Sequence, residues 1–274
     1  TVNGGTADLA GFNNTVANLN GTGTVTLGSG TLTVSSGGTF TGTISGTGGV
    51  RSNGNTLTLN GCNGTYTGAT TIANGSISTN CLKNGGQASG IGASSADAAN
   101  LSLSAGTLIY TGASVSMNRG ATLGGTANSF NGSSSGTVLE ITGPIVGAGG
   151  LRKLGDGTLI LSGNNQYSGN SFAADGILRA GSTSAFGSGG LRMDSADATV
   201  DLNNFSNRLA FLSEVSAAST GNITLGSATL TITDGNNQGY SGAISGTGSV
   251  VKQGAGIQRL LGLSSYSGAT IVTA

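Results

Sequence analysis

Apolar and hydroxyl residues alternate along most of this chain. In Thr24 to Gly28 (TVTLG), Thr31 to Ser35 (TLTVS), Thr56 to Asn60 (TLTLN), Ser102 to Ser104 (SLS) and Thr229 to Thr233 (TLTIT), every second residue is Val, Leu or Ile and the others are mainly Thr or Ser. Successive side chains of a strand point to opposite faces, so Val25, Leu27, Leu32, Val34, Leu57 and Leu59 should share one interior and the hydroxyls should face water. Thr is β-branched yet polar at its tip, which suits a strand wetted on one side. Strand-sized runs recur about every ten residues, separated by Gly-Ser, Gly-Thr-Gly or Asn-Gly corners where positive φ is cheap. No segment has helical spacing; Ser213 to Ser219 allows one helical turn at most.

A longer pattern overlies the alternation. Ile44 to Val50 (ISGTGGV), Thr56 to Gly61 (TLTLNG) and Tyr66 to Thr70 (YTGAT) return as Ile145 to Leu151 (IVGAGGL), Thr158 to Gly163 (TLILSG) and Tyr167 to Ser171 (YSGNS). They return again as Ile244 to Val250 (ISGTGSV), Ile257 to Gly262 (IQRLLG) and Tyr266 to Thr270 (YSGAT). The step from Ile to the last Gly is the same in all three (Ile44 to Gly68, Ile145 to Gly169, Ile244 to Gly268). Val25 to Val34 likewise matches Ile223 to Ile232, and Phe40 and Tyr240 each stand four residues before an Ile block. Self-similarity of this kind marks a stacked architecture. The reading is all-β: an elongated right-handed parallel β-helix, or β-solenoid, of roughly 11–13 coils and about 50–60 Å. It runs as one continuous segment over 1–274, with repeat blocks at 44–77, 145–178 and 244–274. The third block stops before the step that follows Gly68 and Gly169 in the others, as expected of a piece of a larger protein.

Composition narrows the classes. Glycine is 53 of 274 residues, proline 1, and charged residues 7%, with 36% hydrophobic. Disorder goes with more charge and less hydrophobicity, and collagen needs glycine at every third position. Ten basic and ten acidic residues cancel and form no run, so the footprint of a nucleic-acid binder is missing. No window approaches the ~18 apolar residues of a membrane-spanning helix, so direct membrane insertion of this segment is not expected.

Histidine is absent, which removes Ser-His-Asp and Cys-His nucleophiles and most zinc sites. No metal or cofactor is expected. The acidic cluster Asp194, Asp197 and Asp201, near Arg192, is the one candidate for paired-carboxylate chemistry, as in glycoside cleavage; solvated turn aspartates are the alternative. Gly155-Asp156-Gly157 lacks the recurring nonapeptide of calcium-binding rolls. Cys62 and Cys81 are the only thiols, and an even count favours a disulfide if the chain is secreted, either between adjacent coils or closing 63–80 as a surface loop; two unpaired buried thiols are the alternative. Tyr66, Tyr167 and Tyr266 hold one block position, either as an exposed sugar-stacking row or as buried ladder aromatics.

The second block, from Gly149, Gly150 and Leu151 through Lys153, Thr158, Leu159, Leu161, Gly163, Tyr167 and Gly169 to Gly176-Ile177-Leu178, closely resembles the passenger-associated transport repeat of bacterial autotransporters. The first copy departs around Lys153, having Arg51 and Asn53 there, and carries Cys62; the third has Gln253 and an unusual Ile257 to Leu261. The resemblance implies a passenger displayed on, or released from, a Gram-negative cell, preceded by a signal peptide and followed by an outer-membrane barrel outside this segment. It implies that the repeats assist secretion and folding, and it specifies no activity. A stalk or adhesin is the leading expectation, contacting a host surface, a glycan or its own copies through the hydroxyl- and amide-rich lateral face. A carbohydrate-active enzyme and a self-associating fibre subunit are the alternatives.

Overall fold

The computed structural model describes residues 1–233 and 236–273. Short strands joined at tight corners wind into about 13 turns, and all strand pairs in the ladders are parallel. Each turn visits three faces in the same order. The first face starts with Thr6–Asp8, Thr24–Thr26 and Thr43–Ser45; the second with Asn14–Asn18 and Leu32–Phe40; the third with the end of Leu32–Phe40 and Thr56–Leu59. Leu32–Phe40 serves two faces because Gly37 (φ 94°) and Gly38 (φ 126°) bend it around a corner. Cross-turn hydrogen bonds link residues 18 apart (Thr26 to Asp8) to 25 apart (Asn207 to Ser182), which measures the turn.

Register stacks like on like. On the first face Leu139, Leu159, Leu178, Val200, Ile223 and Ile244 form one inward column. Val25, Leu27, Leu32, Val34, Leu57 and Leu59 are buried as their alternation requires. Burial of each such side chain stabilises by about 1.5–3 kcal/mol, and the columns sum it along the axis. Not every hydroxyl faces water: Ser52, Thr70, Thr79 and Ser171 are buried, each bonded to a carbonyl or a neighbouring hydroxyl.

Where strands lapse, asparagines take over. Between Ile145–Val146 and Asn207–Leu209 the second face has no strand pairing. There Asn165 accepts from Ile145 N (2.9 Å) and donates to Ala185 O (2.8 Å), while Asn207 accepts from Ala185 N (3.0 Å). Buried side-chain amides thus satisfy backbone groups that a ladder would otherwise pair. Helix among the described residues is limited to the 3-10 turn Ala98–Asn100, capped by Asp97; the stretch from Ser213, which allowed one helical turn at most, begins in the strand Leu212–Glu214. No helix of the described residues is long and apolar enough to cross a membrane.

One turn is much longer than the rest. Thr70 pairs with Leu101, and the chain from Leu82 to Asp97 leaves the wall between them. Arg119 is buried against this excursion. Its guanidinium donates to Ile91 O (3.1 Å), Gly92 O (2.9 Å) and Ser94 Oγ (3.2 Å).

Candidate functional site: the repeat corner and the charged lateral rows

The repeat builds a corner, and the three copies build it alike. Ile44, Ile145 and Ile244 accept through their carbonyls from Thr65 N, Gln166 N and Ser265 N, each at 2.8 Å, one turn on. The glycine two residues later, Gly46, Gly147 or Gly246, has φ of 123°, 107° or 120° and accepts from Thr67 N, Ser168 N or Ser267 N. That conformation excludes other residues. The tyrosine then folds back: Tyr66 Oη meets Thr70 Oγ1 at 2.8 Å, Tyr167 Oη meets Ser171 Oγ at 2.6 Å, and Tyr266 Oη meets Thr270 Oγ1 at 2.6 Å. Thr70 and Ser171 hand the network on to Ile91 O and Phe186 O of the next turn. Burial pushes the Tyr66 phenol up to about 12 and raises Tyr167 further, so neither ionises near neutrality. Close approach explains the other motif glycines: a Cβ on Gly68 would stand 2.5 Å from Gly48 C, and Gly169 lies over Gly149 in the same way. A Cβ on Gly150 would lie 2.7 Å from Asn170 O, and Gly163 packs on the backbone of Gly143.

Tyr66 and Tyr167 are fully buried, so an exposed sugar-stacking row does not form. Nor do the three tyrosines form one column. Ile44 continues the first face from Val25 and Ile244 continues it from Ile223, whereas Ile145 continues the second face from Ala121. The middle copy is therefore turned by one face relative to the outer two.

Lys153 of the motif lies inside the solenoid, between Phe130 and Ala173 in the inward column of the third face. Its ammonium donates to Leu154 O (3.0 Å), Gly155 O (2.6 Å) and Asp175 O (3.2 Å), and desolvation lowers its pKa to about 8 against the opposing pull of Asp175 and Asp156. Lys252 repeats the geometry on Gln253 O and Gly254 O. In the first copy the equivalent position is Ser52, which donates to Ser76 O (3.0 Å). Leu151, Leu159 and Leu161 line the same interior, and Thr158 is half-exposed at the start of its strand. The alternation Leu151–Lys153 already put the lysine in the inward phase, as Met117–Arg119–Ala121 did the arginine.

Cys62 and Cys81 form a disulfide with Cα atoms 5.4 Å apart, at a sequence separation of 19, one turn. It joins adjacent turns. The segment between them carries Thr70–Ala73 and Ser76–Thr79, so it is wall and not a surface loop.

The acidic cluster is divided among separate partners. Asp194 pairs with Arg152, two turns away along the outward row Arg152–Phe172–Arg192 of the third face. Asp201, on the first face, accepts from Arg179 Nε (2.8 Å), Asn203 N (2.8 Å) and Thr224 Oγ1 (3.1 Å). Asp197 is exposed in the corner between, its N–H bonded to Ser195 Oγ. Arg192, the neighbour expected from sequence, instead stands 5.9 Å over the Phe172 ring. Among the described residues no group of three His, Cys, Asp or Glu could hold a metal ion.

A parallel solenoid whose corners repeat an Ile-x-Gly and Tyr-x-Gly-x-Thr/Ser pattern, with Gly-Gly-Leu-x-Lys between them in the second copy, defines a class of rod-like wall. Three stretches of it, residues 52–78, 151–180 and 250–274, match the passenger-associated-transport-repeat family. Over 273 residues, 97% of its length, the chain is 49% identical to the Adhesin BmaC autotransporter of Brucella suis biovar 1 (strain 1330), and it spans about 8% of that relative. No solved structure matches the chain. The chain is a segment of an autotransporter passenger built on passenger-associated transport repeats.

Proposed function

We propose that this segment is a structural and adhesive part of its passenger: one continuous rod, held outside the cell, whose lateral faces make contact with a host surface. The observation that carries the reading is the 49% identity, spread over 97% of the chain, to a protein named an adhesin. The repeats assist passage and folding, because each turn pairs only with its neighbours and can add to a stack already formed. A non-enzymatic role is supported by the acidic residues, since Asp194 and Asp201 are each engaged by their own arginine. An outer-membrane barrel belongs to the full-length protein. Contact would sum many weak interactions over many turns.

Beads coated with the 274-residue chain should adhere to host cells above beads carrying an unrelated β-rich protein; equal adherence would refute the adhesive reading. The non-enzymatic reading fails if the purified chain cleaves a glycan and the activity disappears in Asp194→Ala, Asp197→Ala or Asp201→Ala.

A further inference from the structure

Two of the interruptions of the wall are closed differently. On the second face, Asn165 and Asn207 occupy the missing ladder positions. On the first face the ladder stops at Thr43–Ser45 and resumes at Val115–Met117, with Gly64 keeping one bridge to Ile44 and turning antiparallel to Ser89. Val115–Met117 pairs with Val138–Ile141 along one edge, and no strand of the described residues lies across the other. Val115, where that edge begins, borders a groove of about 400 Å³, walled by Cys62–Cys81, Leu82 and Lys83 on one side and by Tyr110, Ser114 and Val115 on the other.

The groove is held open. The disulfide pins its near wall to the turn below, and the Tyr110 hydroxyl donates to Ala113 O at 2.6 Å in the far wall. Asn84 and Asn118 close one end reciprocally: Asn118 N donates to Asn84 Oδ1 (2.9 Å) and Gly85 N to Asn118 Oδ1 (2.8 Å). Beyond it, Arg119 fastens the excursion through three hydrogen bonds, so the wall cannot slide onto the open edge without breaking them. Ser114 and Ser116 are exposed.

We propose that this groove docks an extended peptide of a partner protein, which adds as a strand to Val115–Met117. A strand edge presents alternating N–H and C=O groups at a spacing that another extended polypeptide matches, and three residues span about 10 Å. The disulfide, Leu82 and Tyr110 offer an apolar wall to one inward side chain. Lys83, exposed at the rim, favours a carboxylate on the peptide; Glu140 lies across Val115–Met117 on the next turn and is held by Ser162 Oγ at 2.6 Å. The inference goes beyond the adhesive reading, since a pure stalk would carry the same groove.

The test is a fluorescence-anisotropy titration of the disulfide-intact chain with a labelled TVTVD peptide and its TPPPD counterpart, whose consecutive prolines remove the central N–H groups from both edges. TVTVD should bind saturably and at least tenfold more tightly than TPPPD. Val115→Arg should weaken binding at least tenfold with an unchanged circular dichroism spectrum and melting curve. Lys83→Ala should weaken it a few-fold. Should Val115→Arg fail to fold, Ser114→Arg at an exposed position must produce the same loss. Equal binding of both peptides, undiminished binding to the folded arginine variant, or no saturable binding to millimolar peptide would overturn the proposal. So would self-association of the chain that disappears in Val115→Arg, because the occupant is then a second copy. Bead adherence that survives Val115→Arg leaves the adhesive reading standing and separates the two.

Discussion

The first and second copies of the repeat share a corner and differ in what secures it. Both fold a buried tyrosine onto a hydroxyl four residues on, Tyr66 on Thr70 and Tyr167 on Ser171. The second copy then anchors the adjoining corner with one ammonium, Lys153, on three carbonyls. The first has Ser52 there, and instead carries the Cys62–Cys81 disulfide one corner away and the Arg119 guanidinium on the neighbouring excursion. Around Lys153 the third-face ladder runs on unbroken, and one internal cation secures the corner. The turn whose chain leaves the wall carries instead a covalent tie and the Arg119 guanidinium to hold what remains. The tyrosine corner is common to both situations and so reads as the repeat's basic joint.

The comparison can be broken at that joint first. Tyr167→Ala and Tyr66→Ala should each cost about 3–5 kcal/mol, as expected for emptying a buried aromatic site, with Tyr→Phe costing about 1 kcal/mol for the hydroxyl alone. Denaturant melts of the four variants check this; a cost near zero for Tyr167→Ala would deny the corner its structural role. Reduction of Cys62–Cys81 should come next, at about 3 kcal/mol in the chain-entropy model. Amide exchange should then accelerate around residues 61–98 and leave 145–180 unchanged.

Lysine 153 supplies a pH signature that the first copy lacks. Its folded pKa is about 8 against an ordinary 10.5, so below pH 8 both states hold the proton. Between pH 8 and 10.5 the unfolded chain binds more protons than the folded one, and stability rises with pH by up to ~3 kcal/mol. The buried phenols act oppositely: Tyr66, at about 12 when folded, keeps its proton while the unfolded phenol ionises above 10, so stability falls from pH 10 upward. Melts should therefore show a maximum near pH 9–10, and Lys153→Met should abolish the rise and keep the fall. The smallest effect belongs to the lateral ion pair: Asp201→Asn should cost under about 1 kcal/mol, because Arg179 and Asp201 are partly exposed. A double-mutant cycle with Arg179→Gln measures it.

Much of this was legible in the residues. The alternation assigned Val25, Leu32 and Leu57 to the interior, and the cysteine count anticipated the bridge, which takes the first of its two readings and joins adjacent turns. Val25 and Ile223, matched in sequence, do occupy the same face. The carboxylates were legible as a cluster yet not in their partners: Arg152 and Arg179 reach them from other turns, which no local spacing reveals. The buried Lys153 and Arg119 stand in the inward phase of their strands, and only the carbonyls gathered around each cation in the stacked structure explain how it is held there.

Alternation, corner glycines and the tyrosine joint are local properties, set by the backbone within a few residues, and the chain alone determined them. Which face each copy occupies is a running sum of turn lengths that vary from turn to turn, so the second copy falls one face away from the first and the third returns to it. Only the stacked structure could decide that the middle copy turns by one face, which arginine meets which aspartate, and that one strand edge, at Val115–Met117, is left open beside the disulfide.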